Sequence, residues 1–393
     1  MSRLLLVVPP FTGHVSPLVG VAAELGARGH EVVWAGDPDL LGRMLPDSAV
    51  VRPCRSHPDV PRPVASGFAA FKHLWDHVFV PLTEAMAPGV ERAIVDTAPD
   101  LVVVDQQAFA GAFAAERAGL PWVTSASTSA ELTDPLALVP AVAERVAGQL
   151  ADLRARFGDP AATTDPRFSP LLLLAFTSPA LAGAVANPGG GAITFAGQVP
   201  RPDIPAPGFP WDRLDDRPLV LLSLGTVSAD AGDRFLRECA AALAERPGLQ
   251  AVVVDPGGAL ADPPPNLLAL PHVPQQAVLD RAAATGGAVL CHGGHNTVCE
   301  ALARGLPLVV APIRDDQPVV AEQVVATGAG VRLRFARAGA GHIGKALDGI
   351  LSEPRYRAHA QAVAESLRAA GGARAAADAL LRTAHTPAAG TPA

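Results

Sequence analysis

The pattern that most constrains this chain is an alternation of short apolar runs with helical stretches, which breaks off around residues 199–218 and then starts again. Residues 4–9 (LLLVVP) are continuously apolar and rich in β-formers, as a strand covered on both faces must be. A glycine-containing loop follows, then a segment with Leu18, Val21, Ala22 and Leu25 at helical spacing that ends near Gly29. Glu31–Ala35 reads as the next strand, and Leu101–Val104, Trp122–Thr124 and Ile193–Ala196 repeat the signal. The segment VPRPDIPAPGFPWDRLDDRP then gathers Pro200, Pro202, Pro205, Pro207, Pro210 and Pro218, and reads as an extended linker. Beyond it the strand runs recur at Leu219–Ser223, Ala251–Val254, Leu267–Ala269, Ala288–Cys291, Leu308–Ala311 and Val331–Phe335. This predicts an α/β fold with two doubly wound parallel sheets. The expected domains are 1–198, a linker at 199–218, a second domain at 219–372, and a closing helix with an Ala/Pro-rich tail at 373–393. Two such sheets are expected to hold a ligand in the cleft between them, outside the carboxyl ends of the strands.

Composition narrows the function. Hydrophobic residues make up 49% and charged residues 18% of the chain, which excludes a disordered protein. The net charge of −7 and the lack of a sustained basic run argue against a nucleic-acid partner. No apolar run is long enough for membrane insertion, and the short one at the start is ended by Pro9-Pro10 without a cleavage site. Cys54, Cys239, Cys291 and Cys299 form no CxxC pair, so neither a disulfide framework nor a zinc site is expected. A reduced, cytoplasmic protein fits these features.

Three short patterns read better as structure than as chemistry. Gly339–Lys345 has Walker A spacing, but Ala346 stands where the magnesium-binding hydroxyl would be. His73 and His77 have an inverted zincin-like spacing with no evident third ligand. Asp37-Pro38-Asp39 follows a strand and reads as a helix cap rather than a metal–diphosphate element. No metal or bound cofactor is expected.

The chemistry concentrates in 288–317, AVLCHGGHNTVCEALARGLPLVVAPIRDDQ. A strand runs into His292-Gly293-Gly294 and a helix follows from about Asn296. Glycines let the backbone approach a ligand, and the free N–H groups of a helix start attract phosphate. His292, Asn296 and Thr297 add side-chain donors, and Glu300, a turn later, can accept from ribose hydroxyls. The next strand ends at Pro312 and brings Asp316 and Gln317 to the same edge, a pair suited to a polyol. Phosphate at one strand end and hydroxyl acceptors at the next describe a nucleotide-sugar. In the first half, His14 lies in Phe11-Thr12-Gly13-His14, between the first strand and the first helix, where it can serve as general base. Asp105 ends the strand Leu101–Val104, and a carboxylate there could orient the imidazole. On spacing alone both residues read more readily as structural, since spacing does not show contact.

The segment HGGHNTVCEALARGLPLVVAPIRDDQ resembles the donor-binding signature of the family 1 glycosyltransferases, the UDP-glycosyltransferase-like group with the GT-B fold of two Rossmann-like domains. His272-Val273-Pro274-Gln275 matches the family segment whose backbone receives the base. Ser223-Leu224-Gly225-Thr226 matches the element near the diphosphate. The resemblance implies a donor site of Gly13, Ser223, Gly225, Thr226, Val273, Gln275, His292, Gly293, Gly294, Asn296, Thr297, Glu300, Asp316 and Gln317, with His14 and Asp105 as a catalytic dyad. GGHNTVCEALARGLP and RDDQP are most similar to the bacterial branch that puts deoxysugars on secondary metabolites.

The acceptor side carries a weaker signal. Phe68, Phe71, Trp75 and Phe79 recur at helical spacing and fit equally a wall for a flat aglycone and ordinary core packing. The expected function is an inverting, metal-independent transfer of a deoxyhexose from a dTDP-sugar to an aromatic or polyketide-type aglycone. The alternatives are a UDP-hexose enzyme that inactivates antibiotics, a non-catalytic nucleotide-sugar-binding partner protein and, ranked lowest, a nucleotide-sugar epimerase. The expected partners are the donor and a small-molecule aglycone, and the sequence leaves room for a homodimer.

Overall fold

The computed structural model describes residues 1–56, 67–134, 136–137, 139–200, 208–225 and 232–385. The chain divides into two compact units, the first comprising Met1–Ser178, Ala184–Arg201 and Ala370–Ala393, the second Pro179–Gly183 and Pro202–Ala369.

The first unit is built on a parallel sheet of β1 (Arg3–Val7), β2 (Glu31–Gly36), β3 (Val50–Pro53), β4 (Leu101–Asp105), β5 (Trp122–Ala126), β6 (Leu172–Ala175) and β7 (Ala192–Phe195). Their spatial order is β3-β2-β1-β4-β5-β6-β7. Apolar runs form these strands because both faces are covered. Leu4, Leu6 and Val8 enter one core with Leu18, Leu25 and Val103. Leu5 and Val7 enter another with Met86, Val90 and Val104. Each fully buried leucine of this kind contributes about 1.5–3 kcal/mol. β3 and β6 were not legible as strands in the sequence. β3 is a four-residue edge strand without clear alternation, and β6 lies in an apolar run whose period does not separate strand from helix.

The second unit repeats the plan. Its strands β8 (Leu219–Ser223), β9 (Gln250–Val254), β10 (Leu267–Leu270), β11 (Ala288–Cys291), β12 (Leu308–Val310) and β13 (Gly330–Arg332) lie in the order β10-β9-β8-β11-β12-β13. β13 occupies 330–332 rather than the expected 331–335, because the chain leaves the sheet after pairing Arg332 with Val310. The short helix Pro179–Ala182 belongs to this unit, where the Ala182 carbonyl accepts a hydrogen bond from Gln323 Nε2 at 3.3 Å.

The helix Gly372–Ala384, expected as a separate closing element, is part of the first unit's core. Its Ala376, Ala377, Ala379 and Leu380 pack with Leu18, Val21 and Leu25 of the helix Thr12–Ala27. Arg28 ties the two helices through Asp378 and Glu24.

In both sheets the strand order reverses once, between β1 and β4 and between β8 and β11. Neighbouring loops diverge at such a point and leave a crevice at the carboxyl ends of the strands. At these ends lie His14, in the first turn of the helix after β1, Asp105, the last residue of β4, and Gly225 and His292, in the loops after β8 and β11. Among the described residues no helix is long and apolar enough to cross a membrane.

Candidate active site

At the crevice of the first unit, His14 sits in the first turn of the helix Thr12–Ala27, directly after β1. Asp105 is the last residue of β4 and its side chain is fully buried. Asp105 Oδ1 lies 2.9 Å from His14 Nδ1 and also accepts the Gln107 N–H at 2.9 Å. The two residues singled out from the sequence are therefore in direct contact.

Sequence reading missed a third group. Ser127 Oγ lies 2.8 Å from Asp105 Oδ2 and 2.7 Å from His14 Nδ1. It is one of several hydroxyl residues in Thr124–Ser129, and nothing in that run marks it. The only signal is register, since Asp105 pairs with Ser125 and Ser127 lies two residues further along, on the same face.

Phe11 packs against His14 with ring centroids 5.5 Å apart and connects it to an aromatic core. In that core the Trp75 ring stacks on Phe109 at 5.5 Å, and Phe79 meets both rings edge-on. Trp75 and Phe79, weighed as an acceptor wall, are 3% and 5% exposed and serve this packing. Phe71 is half-buried at its margin, and the side chain of Phe68 lies outside the described residues. A single π-helical turn, Trp75–Phe79, turns Asp76 toward the helix Pro140–Phe157. There Asp76 accepts from Lys72 Nζ at 2.6 Å, from Gln149 Nε2 at 2.8 Å and from Arg145. Partial burial pushes this carboxyl up, but the donors outweigh it and hold it at about 2. His73 and His77 face each other ring to ring at 4.8 Å.

In the second unit the loops after β8 and β11 interlock. Gly225 has φ +71°, and a Cβ placed there would lie 2.8 Å from His292 Nε2. A Cβ on Gly294 would lie 2.6 Å from the same nitrogen. The imidazole thus lies against two glycine backbones, which explains why the motif needs both. Gly293 turns the chain at φ +93°, and Gly294 caps the helix His295–Leu302. Ser223 ends β8 and is buried, and Thr226 lies outside the described residues.

Further along, Gln275 Nε2 donates to Glu300 Oε2 at 2.6 Å and lies 3.5 Å from Thr297 Oγ1, so three expected donor residues meet. Val273 is half-buried against the core beside them. Gln317 is buried, and its Oε1 accepts the N–H groups of Ile313 and Arg314 at 2.9 and 3.1 Å, which folds the IRDDQ loop. Asp315 takes a left-handed φ of +56°, while Asn296 and Asp316 are half-buried and Gly13 is exposed. Arg314, which sequence reading passed over, is buried and its charge acts on His292.

Burial pushes the His292 imidazole below its ordinary value. The Ser223 backbone and Asp316 oppose this, and Arg314 reinforces it. Its Nδ1 is buried with no hydrogen-bond partner among the described residues. The folded state therefore binds fewer protons here than the unfolded chain, so stability falls as pH drops below about 6.5. His292→Gln is expected to reduce the loss of melting temperature between about pH 7.5 and 5.5. An equal loss in wild type and variant would show that His292 does not carry this pH dependence.

The Walker-like loop is a closed helix start. Glu238 Oε2 accepts the Ala340 N–H at 2.8 Å at the beginning of the helix Ala340–Ser352, where a phosphate would have to sit. Asp37 caps the helix Pro38–Met44 by accepting the Leu40 N–H at 2.8 Å. All four cysteines are buried and unbridged.

With this geometry in view, residues 213–365 match the family described as UDP-glucoronosyl and UDP-glucosyl transferase. The chain is 30% identical over 404 residues to 4'-demethylrebeccamycin synthase of Lentzea aerocolonigenes, covering 91% of this chain and 94% of that one. It is 28% identical to demethyllactenocin mycarosyltransferase of Streptomyces fradiae, covering 96% of this chain and 86% of that one. Among solved structures, the glycotransferase of kitacinnamycin superposes with a TM-score of 0.80 at 26% identity, covering 97% of this chain and 98% of that one. The two parallel-sheet units match the GT-B fold of solved glycosyltransferases. The chain belongs to the UDP-glycosyltransferase family, among its bacterial antibiotic glycosyltransferases.

Proposed function

We propose that this glycosyltransferase is inverting and metal-independent, and moves a deoxyhexose from a dTDP-sugar to an aromatic or polyketide-type aglycone. The observation that carries the catalytic part is the His14–Asp105 contact at 2.9 Å. Asp105 holds the Nδ1 side of the ring, so the lone pair at Nε2 takes the proton of the acceptor hydroxyl. The acceptor oxygen forms its bond to the anomeric carbon as the bond to the diphosphate oxygen breaks on the opposite face. The nucleoside diphosphate leaves with the bonding electron pair. Its growing charge is met by the helix start at Gly294–Thr297 and by His292, whose buried Nδ1 has no partner among the described residues. Gln275 and Glu300 bind the nucleoside, and Asp316 and Gln317 bind the sugar.

The deoxysugar reading is supported by the relative named for mycarosyl transfer, and the aromatic or polyketide acceptor by the antibiotic names of the relatives. A UDP-hexose donor is the second reading, favoured by the UDP-glucosyl description of the matched family. Thermal shift with dTDP and UDP, each with and without EDTA, separates the two. A rise in melting temperature selective for dTDP and insensitive to EDTA is expected. Selectivity for UDP would replace the donor, EDTA sensitivity would remove the metal-free mechanism, and no rise with either would remove the donor site.

A further inference from the structure

We propose that Ser127 is a positioning residue for His14, closing a three-membered network that fixes which ring nitrogen carries the proton. The proposal rests on the general-base reading above. Asp105 Oδ1 faces His14 Nδ1 at 2.9 Å and the Gln107 N–H, while Oδ2 faces Ser127 Oγ at 2.8 Å. Ser127 Oγ is also 2.7 Å from His14 Nδ1. Asp105 is 0% and Ser127 4% exposed, so protein atoms must satisfy these groups.

Donor counting then assigns the protons. A carboxylate has none to give, so the single hydroxyl hydrogen of Ser127 goes to Oδ2. A lone pair of Oγ is left facing Nδ1, which therefore meets two acceptors, Oδ1 and Oγ. Both contacts are favourable only if Nδ1 carries the hydrogen and shares it between them. Nε2 then holds the basic lone pair. Ser127 adds a second contact at Nδ1 beside that of Asp105, and its hydroxyl in turn fixes the plane of the carboxylate. The register pairing Asp105 with Ser125 is what brings Ser127 to this place.

The test uses the full chain labelled with 15N in histidine. A His14 Nδ1–H resonance, assigned by its loss in His14→Gln, is expected downfield and in slow exchange with water. Ser127→Ala should move it upfield or broaden it away, and Ser127→Thr, which keeps the hydroxyl, should restore it. The absence of this signal in the wild type, an unchanged signal in Ser127→Ala, or a failure of Ser127→Thr to restore it would overturn the proposal. If Ser127→Ala does not fold, Ser127→Cys, which has only a weak donor and acceptor, is measured in its place.

Kinetics gives the second readout, with dTDP-glucose as donor and water as acceptor. Ser127→Ala should lower turnover about tenfold, the effect of one neutral hydrogen bond, without raising the donor KM. The loss should nearly vanish when Ser127→Ala is added to Asp105→Ala, because the anchor is already gone. A raised KM with unchanged turnover, or full additivity, counts against a positioning role. If His14→Gln turns over donor like the wild type while the resonance behaves as expected, the general-base reading fails and the placement of Ser127 stands.

Discussion

Replacing His14 by alanine is expected to lower turnover by a hundredfold or more, the usual contribution of a positioned general base, while leaving nucleoside diphosphate binding intact. Two features make this sharp. The imidazole is held at Nδ1 by a fully buried carboxylate, so its basic nitrogen is defined rather than averaged over tautomers. His14 also belongs to the first unit, whereas the residues proposed to hold the diphosphate belong to the second. Turnover is read as diphosphate release with a panel of aromatic aglycones, and binding by calorimetry with dTDP and UDP. Near-wild-type turnover with normal binding would end the general-base assignment. Normal turnover with lost binding would instead place His14 in donor recognition.

The second large effect is expected at Gly225. Alanine there meets two costs. The backbone at φ +71° disfavours any side chain, by about 1–2 kcal/mol. The new Cβ would also lie 2.7 Å from His292 Cε1 and 2.8 Å from Nε2, so the imidazole has to leave its place. Gly258 supplies the control, because its φ is +68° and nothing lies within 4 Å of a Cβ built on it. Gly258→Ala should therefore show the backbone cost alone. Gly225→Ala is expected to lose more melting temperature than Gly258→Ala, and only Gly225→Ala should lose about tenfold or more in nucleoside diphosphate affinity. Equal affinity in the two would mean that the position of His292 does not matter to the diphosphate.

Much of this was legible in the chain, for a physical reason. A strand covered on both faces has to be continuously apolar, so Leu4–Val8 and Leu219–Ser223 announce themselves. The run from His292 to Gln317 keeps its site residues within one strand–helix–strand passage, so the donor signature is local. What the sequence hid is what depends on pairing. Nothing in residues 4–9 says that β1 lies beside β4, which is what brings His14 to Asp105. Nothing in Thr124–Ser129 distinguishes Ser127 from its neighbours until register is known. The aromatic spacing of Phe71, Trp75 and Phe79 reads as a helical face that fits equally an acceptor wall and core packing. Only Phe109, more than 30 positions beyond Trp75, shows that this face is used for packing.

The closing helix changes what counts as a part of this molecule. The chain begins in the first unit and comes back to it, and Ser2 Oγ lies 3.2 Å from His385 Nε2, so both ends of the described chain meet on the same body. In sequence terms, most of the second unit is an insert spliced between residues 201 and 370 of the first. A cut at the proline-rich segment would thus leave the apolar side of the helix Thr12–Ala27 without Ala376, Ala377 and Leu380. For anyone recombining such enzymes, the piece that can be exchanged cleanly is an internal cassette with two seams. A graft that swaps everything downstream of the linker would hand each chimera a foreign clasp for its own first helix.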